Sequence, residues 1–538
     1  MTLEALPQEL IFQISTHLNQ SDLLNLLYTN SYFYNLLQAR LHFAINIDSR
    51  KKIYTDFNTD DFNYVSVPNY YTEYRSMKIK PITISSLYSM NIFFKKLIQN
   101  PHLCSFIRVM IFNYEIPDIS DLELFKVLTI LNGKLTNLKV FKWFNGHYKL
   151  PGKFISDLNL IELEGCIQLD IPNDKLNFQY LKKLHLSNFN SGPIDFSDFP
   201  NLSELTISKL HSSSSPNYFY TGSNPSFWES KEFVSSIAQY FKRTTSIIPC
   251  LSTLTIKDMH VTGDDVKVLK SCFDTSKLTS LSILNCFESM YDQDEFYDIR
   301  RRRIKTKFFL DELNSIVNKD LKELNIYLVN ELNYNNKLVN FLREFPNLQS
   351  LNLNVNLNGF ENLNINLLNI LKSINPDLEF LNLNYNIIGN SKNSNCFNYD
   401  SKVTNLLKNF TKLKFLNIPF HIDFKIPKKL LSNLQVLSLR IHEESISKVS
   451  QPSNCLINSE FFSNTIIVDK HSQTYIEEQI CRAKYWKQMM RSLKWIQFEF
   501  DDECMMFQCD DKSNDNGQVV YREGLQNYFQ QIITNQII

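Results

Sequence analysis

One recurring pattern constrains this chain more than anything else in it: an apolar residue, two variable positions, a leucine, two more variable positions, then Leu-x-Leu. It is clearest as Phe199-x-x-Leu202-x-x-Leu205-x-Ile207, Phe345-x-x-Leu348-x-x-Leu351-x-Leu353 and Phe410-x-x-Leu413-x-x-Leu416-x-Ile418. Further copies centre on Leu184, Leu254, Leu281, Leu324, Leu381, Leu437 and Ile496, and weaker ones on Val109, Phe141 and Ile161. The terminal alternation predicts a short strand with one buried face, and the three-residue steps before it turn the chain into that strand. A single copy cannot bury its own apolar strip, so neighbouring copies must stack. Length alone would divide 538 residues among several independent domains. The repeat replaces that expectation with a stack.

Composition excludes several classes of function. The chain has 11 glycines, of which the closest pair is Gly146 and Gly152. No G-x-G-x-x-G, G-x-x-x-x-G-K-[ST] or G-x-S-x-G motif is therefore present, and dinucleotide-binding, P-loop and α/β-hydrolase readings fall together. The 56 basic and 56 acidic residues cancel, whereas a general nucleic-acid binder needs a basic surface to neutralise phosphates. The 10 cysteines form no C-x-x-C pair, which argues for reduced thiols and against a zinc site. Met1-Thr2-Leu3-Glu4 does not open a signal peptide, and no apolar run reaches spanning length. The expectation is a chain without membrane contact or cofactor, in the cytoplasm, the nucleus or both.

Residues 1–45 read as three short helices. Leu6-Pro7 opens the first, and Leu10, Ile11, Ile14 and Leu18 recur at helical spacing. Ser21 is the expected N-cap of the second, with Asp22 in its first turn and Leu23, Leu24, Leu26 and Leu27 behind. Asn30-Ser31 breaks the chain again before Tyr32, Phe33, Leu36, Leu37 and Leu41. Three helices this short cannot hide so many large apolar residues. The rest of the chain or a partner must cover the surplus.

The run Leu6-Pro7-x-Glu9-Leu10-Ile11-x-x-Ile14-x-x-x-Leu18, then Asp22-Leu23-Leu24-x-Leu26, then Thr29-Asn30-x-x-Phe33 resembles the F-box in order, spacing and position. It departs from many F-boxes in carrying Phe33 or Tyr34 where tryptophan stands in the third helix. The pattern over most of residues 100–500 resembles the leucine-rich repeat, with short intervals near 20–29 residues and longer ones that signal insertions. Together they resemble the F-box/leucine-rich-repeat family, in its fungal type. The fold so implied is an α/β solenoid, a three-helix F-box followed by a curved repeat horseshoe. Its parts are an F-box at 1–45, a helical connector at 46–100, repeats over 101–510 with insertions near 211–230 and 286–307, and a C-terminal cap at 511–538. A plain helical cap sealing the stack is the other reading of residues 1–45.

The family resemblance implies the substrate receptor of a cullin-type (SCF) ubiquitin ligase. Leu6, Pro7, Leu10, Ile11, Ile14, Leu23 and Leu24 match the family positions that bind the Skp-family adaptor, and through it a cullin. The repeat's concave face then holds a protein target. Residues between the strand leucines nominate Phe144, His185, Glu204, Lys257, Tyr327, Asn352, Phe380, Asn382, Phe415, Asn417, Arg440 and Trp495 for that face. Tyr327, Phe415, Trp495 and Arg440 lead, because aromatic and arginine side chains are enriched among interface hot spots. An adaptor-bound structural role outside a ligase and a plain repeat scaffold remain as alternatives.

No catalytic or metal constellation is legible. His442-Glu443-Glu444 lacks the second histidine of a metal helix, and Asp292-x-Asp294 lies in a charged loop. The expectation is a non-catalytic subunit, unless distant positions assemble a site. The basic run Arg300–Arg303 reads as a solvated face or an import signal, and Ser212–Ser215 as a loop. Asn356 and Asn386, three residues beyond the second strand leucine, are expected in tight turns.

Overall fold

The computed structural model describes residues 3–18, 20–47, 65–68, 76–79, 81–112, 128–143, 150–151, 155, 157–165, 167–168, 178–187, 198–208, 250–259, 261–288, 309–330, 335–358, 369–388, 405–420, 433–441, 473–499, 504–509 and 519–521. The Ser212–Ser215 and Arg300–Arg303 runs, the Asp292-x-Asp294 pair and the His442 triplet lie outside them. The chain forms two compact units. One comprises Met1–Ser215, Ser235–Met259 and Lys267–Lys277, the other Pro216–Val234, His260–Val266 and Leu278–Ile538.

The first unit begins with helices α1 (Gln8–His17), α2 (Gln20–Thr29) and α3 (Ser31–Phe43). Pro7 stands at the N-cap of α1 with φ −52° and ψ 142°, as expected of a residue with no N–H to satisfy. Helix α2 begins at Gln20, one residue before Ser21, so Ser21 lies inside the first turn and not at the cap. Asn30 caps α3, its side chain accepting a 2.9 Å hydrogen bond from the Phe33 N–H. Both α1 and α2 pack on α3, and Ile11, Leu23, Leu27, Phe33 and Leu37 are buried among them.

Helix α3 runs directly into strand Ala44–Ile47, all four residues of which are buried. This strand pairs in parallel with Ile82–Ile84 and with Val109–Phe112. The helical head therefore continues directly into the sheet. Between them, Leu87–Gln99 is a helix capped by Ser86 and followed by a 3-10 turn at Pro101–Phe106.

His42, near the end of α3, is buried and takes part in both links. Its Nδ1 lies 2.9 Å from the Gln38 carbonyl oxygen and its ring stacks on Phe93. Burial pushes its pKa below the ordinary 6.5, Lys96 and His102 push the same way, and the Gln38 hydrogen bond opposes them. The folded state thus binds fewer protons here than the unfolded one. The corresponding stability is present above pH 6.5 and is lost as pH falls through the lowered value. We expect a denaturation midpoint that drops as the pH falls below 6.5. In His42→Phe, which keeps the stack, that part of the drop should shrink; an unchanged drop in urea titrations would refute the assignment.

From Val109–Phe112 the ladder continues in parallel through Val140–Trp143, Glu162–Gly165, Lys183–Ser187, Glu204–Ser208 and Thr253–Lys257. Two apolar columns run down one face. Leu163, Leu184, Leu205 and Leu254 stand opposite one another, as do Leu186, Ile207 and Ile256. All are buried. The repeat is thus of the leucine-rich type in its register as well as its sequence. The weak anchor expected at Ile161 belongs instead to Leu163, which pairs with Phe141. Leu160, three residues earlier and buried, fills the preceding step.

In the second unit, Ser280–Glu288, Glu323–Asn330, Ser350–Asn358, Phe380–Ile388, Phe415–Phe420, Val436–Ile441 and Trp495–Glu499 form another parallel ladder. Leu281, Leu324, Leu351, Leu381, Leu416, Leu437 and Ile496 share one column. Cys504–Cys509 and Val519–Tyr521 then add antiparallel strands. The strand expected to end before an insertion at 286 extends to Glu288. Asn356 and Asn386 pair with each other inside nine-residue strands and do not form turns. Continued parallel pairing there satisfies the backbone that a turn would have left to the asparagine side chains.

Candidate functional site

Two surfaces stand out. The first is the outer side of α1. Leu10 is 46% exposed and Ile14 41%, while Ile11 between them is buried. Leu10 and Ile14, four positions apart within α1, lie on one side of that helix, and Leu3 and Pro7, which precede it, are also exposed. Tyr28, Tyr32 and Tyr34 add exposed aromatic surface nearby in sequence. Of the seven residues matched to the F-box, Pro7, Leu10 and Ile14 are exposed and Leu6 and Leu24 half-buried. Ile11 and Leu23 are buried in the three-helix core, so they shape that surface from beneath and do not contribute contact area.

The second surface is the strand face opposite the leucines. In the first unit it carries a continuous polar row. The Lys142 ammonium lies 2.6 Å from Glu162 Oε1 and 3.2 Å from Glu164 Oε2. Glu164 Oε1 lies 2.5 Å from His185 Nδ1, and His185 Nε2 lies 2.9 Å from Ser208 Oγ. Lys142, Glu164 and His185 are direct cross-strand neighbours. Burial raises the Glu164 pKa, but the His185 hydrogen bond and the Lys142 charge outweigh it and hold the carboxyl below its usual range. Burial likewise lowers that of Lys142, and the two glutamates more than restore it.

In the second unit the same face carries two rows. Phe380, Phe415, Val436 and Trp495 stand side by side, with the Phe380 and Phe415 rings stacked 4.1 Å apart. Beside them run Asn325, Asn352, Asn382, Asn417, Ser438 and Gln497. Asn325 Nδ2 donates to Ser282 Oγ, and Ser438 Oγ donates to Gln497 Oε1. The asparagines of this region thus recur at matching register positions on adjacent strands, Asn352 with Asn382, Asn354 with Asn384 and Asn356 with Asn386.

No family model matches the chain, and no curated protein matches it. Among solved structures, the mouse RP105/MD-1 complex is similar with a TM-score of 0.26 and 14% identity, over 62% of this chain and 43% of that one. The functional domain of InlJ from Listeria monocytogenes gives a TM-score of 0.23 and 14% identity, over 62% of this chain and 67% of that one. The chain thus spans less than half the length of the first. The repeat assignment rests on the ladders described above.

The hot-spot candidates fare unevenly. Tyr327 is half-buried on the strand face. Phe415 and Trp495 retain 1% and 2% exposure, so both pack within the chain and offer little area to a target. The cause is cross-strand packing, Phe415 against the Phe380 ring and Trp495 beside Val436. Arg440 stands opposite Pro419 and Glu499 in the ladder, and its side chain lies outside the described residues. His185 was legible as a face residue. Glu164 and Ser208 were not, since only the strand register brings positions 164, 185 and 208 together. Among the described residues no group of three or more His, Cys, Asp or Glu side chains could hold a metal ion. No described helix is long and apolar enough to cross a membrane.

Proposed function

We propose that the chain is a protein-interaction receptor whose helical head docks on a Skp-family adaptor and whose repeat holds a protein target, as the substrate-recognition subunit of a cullin-type ubiquitin ligase. One observation supports this reading most: Leu10 and Ile14 are exposed on one side of α1 while Ile11, Leu23, Leu27, Phe33 and Leu37 are buried among the three helices. A helix that merely sealed the stack would turn its apolar side inward. The matched F-box residues Pro7, Leu10 and Ile14 are the exposed ones.

The role so assigned is proximity. Two binding surfaces on one chain keep a target near a transfer enzyme supplied by the partner, which raises the effective concentration of the reacting groups. The transfer chemistry itself belongs to that partner and needs no cofactor here. Such a subunit acts in the cytoplasm or nucleus, where the ligase components are.

Co-expression with the adaptor tests the first half, and addition of cullin the second. Co-purification of adaptor and cullin supports the ligase subunit. Adaptor without cullin favours the structural role, and no adaptor binding by the folded chain leaves the plain repeat scaffold.

A further inference from the structure

The polar row of the first unit has a chemical order that ion pairing alone does not require. Glu164, His185 and Ser208 lie on three successive strands, and the two nitrogens of one imidazole connect them. With Nδ1–H donating to the Glu164 carboxylate, Nε2 is left as the acceptor for the Ser208 hydroxyl proton. A carboxylate that orients an imidazole, and an imidazole that activates a hydroxyl, are the parts of a nucleophilic serine site. Lys142 holds Glu164 from the far side through Oε2. Lys257 stands opposite Ser208 on the next strand, with its side chain 49% exposed.

We propose that Ser208 is an acyl-accepting nucleophile towards small activated carboxylic esters, with His185 as its base and Glu164 and Lys142 as positioning residues. The inference goes beyond the receptor reading and does not depend on adaptor binding. Ser208 Oγ attacks the ester carbonyl while its proton passes to His185 Nε2. The C–O bond to the leaving alcohol breaks, and that oxygen departs with the electron pair and takes the proton from Nε2. Water then attacks the acyl-serine and gives its proton to His185 Nε2; the Oγ–acyl bond breaks, Nε2 returns the proton to Oγ, and the acid leaves with Ser208 and His185 restored. The backbone amides here are engaged in the parallel ladder, and the Lys257 ammonium lies 3.9 Å from Asp258 Oδ2, so the acylation relies on His185 and not on an oxyanion hole.

The full chain incubated with p-nitrophenyl acetate provides the test. A burst of one p-nitrophenol per chain, with an acetyl adduct mapped to the Ser208 peptide, is the expected result. Ser208→Ala abolishes the adduct, and His185→Gln slows acylation by about 10²-fold or more, the usual contribution of a general base. Glu164→Gln slows it and changes the pH–rate profile, which a purely structural role would leave unmoved. An adduct elsewhere, an unmodified folded protein, or an unslowed His185→Gln overturns the proposal. Should Ser208→Ala fail to fold, Ser208→Cys gives the second reading. Its thiol should alkylate with iodoacetamide at least 10-fold faster than in the His185→Gln double variant, and equal rates overturn the proposal.

Discussion

Leu10→Arg combined with Ile14→Arg should weaken adaptor binding by roughly a thousandfold while leaving the chain folded. Leu10 is 46% and Ile14 41% exposed in the chain alone, outside the buried set Ile11, Leu23, Leu27, Phe33 and Leu37, so charging them should leave the three-helix core folded. In a docked complex they would sit in desolvated apolar contacts, where a hot-spot residue typically contributes about 2 kcal/mol or more. Two such losses give about 4 kcal/mol, which is roughly three decades in Kd. The comparison that makes the test specific is Ile11→Ala. Ile11 is 1% exposed, and its truncation should cost about 2–5 kcal/mol of fold stability through the cavity it leaves. A calorimetric titration of adaptor into each variant, with thermal melts alongside, separates the two effects. Unweakened binding by the folded double-arginine variant would sink the docking surface and favour the helical cap.

Gly165→Ala is expected to be among the most damaging single substitutions in the first unit. Gly165 ends strand Glu162–Gly165 at φ +144°, a backbone region that side chains disfavour. A Cβ built there would lie 2.3 Å from the Trp143 carbonyl oxygen and 3.0 Å from the Trp143 Cβ. Trp143 is its cross-strand partner and is 1% exposed. Its ring is stacked on Phe141 and tilted against Phe112. The missing side chain thus makes room for the Trp143 backbone carbonyl. Backbone strain of about 1–3 kcal/mol and overpacking of similar size should add. A loss of about 2–5 kcal/mol follows, a large part of the 5–15 kcal/mol typical of a domain. Gly133→Ala is the control, because nothing lies within 4 Å of its added Cβ. Denaturant titration checks the pair, and equal midpoints for the two variants would contradict this account of Gly165.

Much of the repeat was readable because leucine spacing is local information. Leu184, Leu205, Leu254, Leu351 and Leu416 all fall on the buried columns where their motif put them. The misplaced anchor at Ile161 shows the limit. The frame Ile155-x-x-Leu158-x-x-Ile161-x-Leu163 matches the motif in full and the frame Leu160-x-x-Leu163 only in its middle step, yet pairing with Phe141 selects the second. Asn356 and Asn386 illustrate the same point, since an asparagine suits both a turn and a polar strand row. The burial of two of the four hot-spot candidates was illegible for another reason. Exposure of Phe415 and Trp495 depends on neighbours that are 35 and 59 residues away in the ladder, Phe380 and Val436.

By itself the sequence determined the strand period, the apolar columns, the three N-terminal helices and the exclusion of phosphate-binding glycine motifs. Each follows from residue types within a dozen positions of one another. The tertiary structure decided the rest: α3 runs into the sheet through Ala44–Ile47, Ile11 and Leu23 turn inward while Leu10 and Ile14 face outward, and Glu164, His185 and Ser208 share one hydrogen-bonded line. Parallel register is the physical reason. It brings residues some twenty positions apart within hydrogen-bonding distance, and no local pattern encodes which ones will meet.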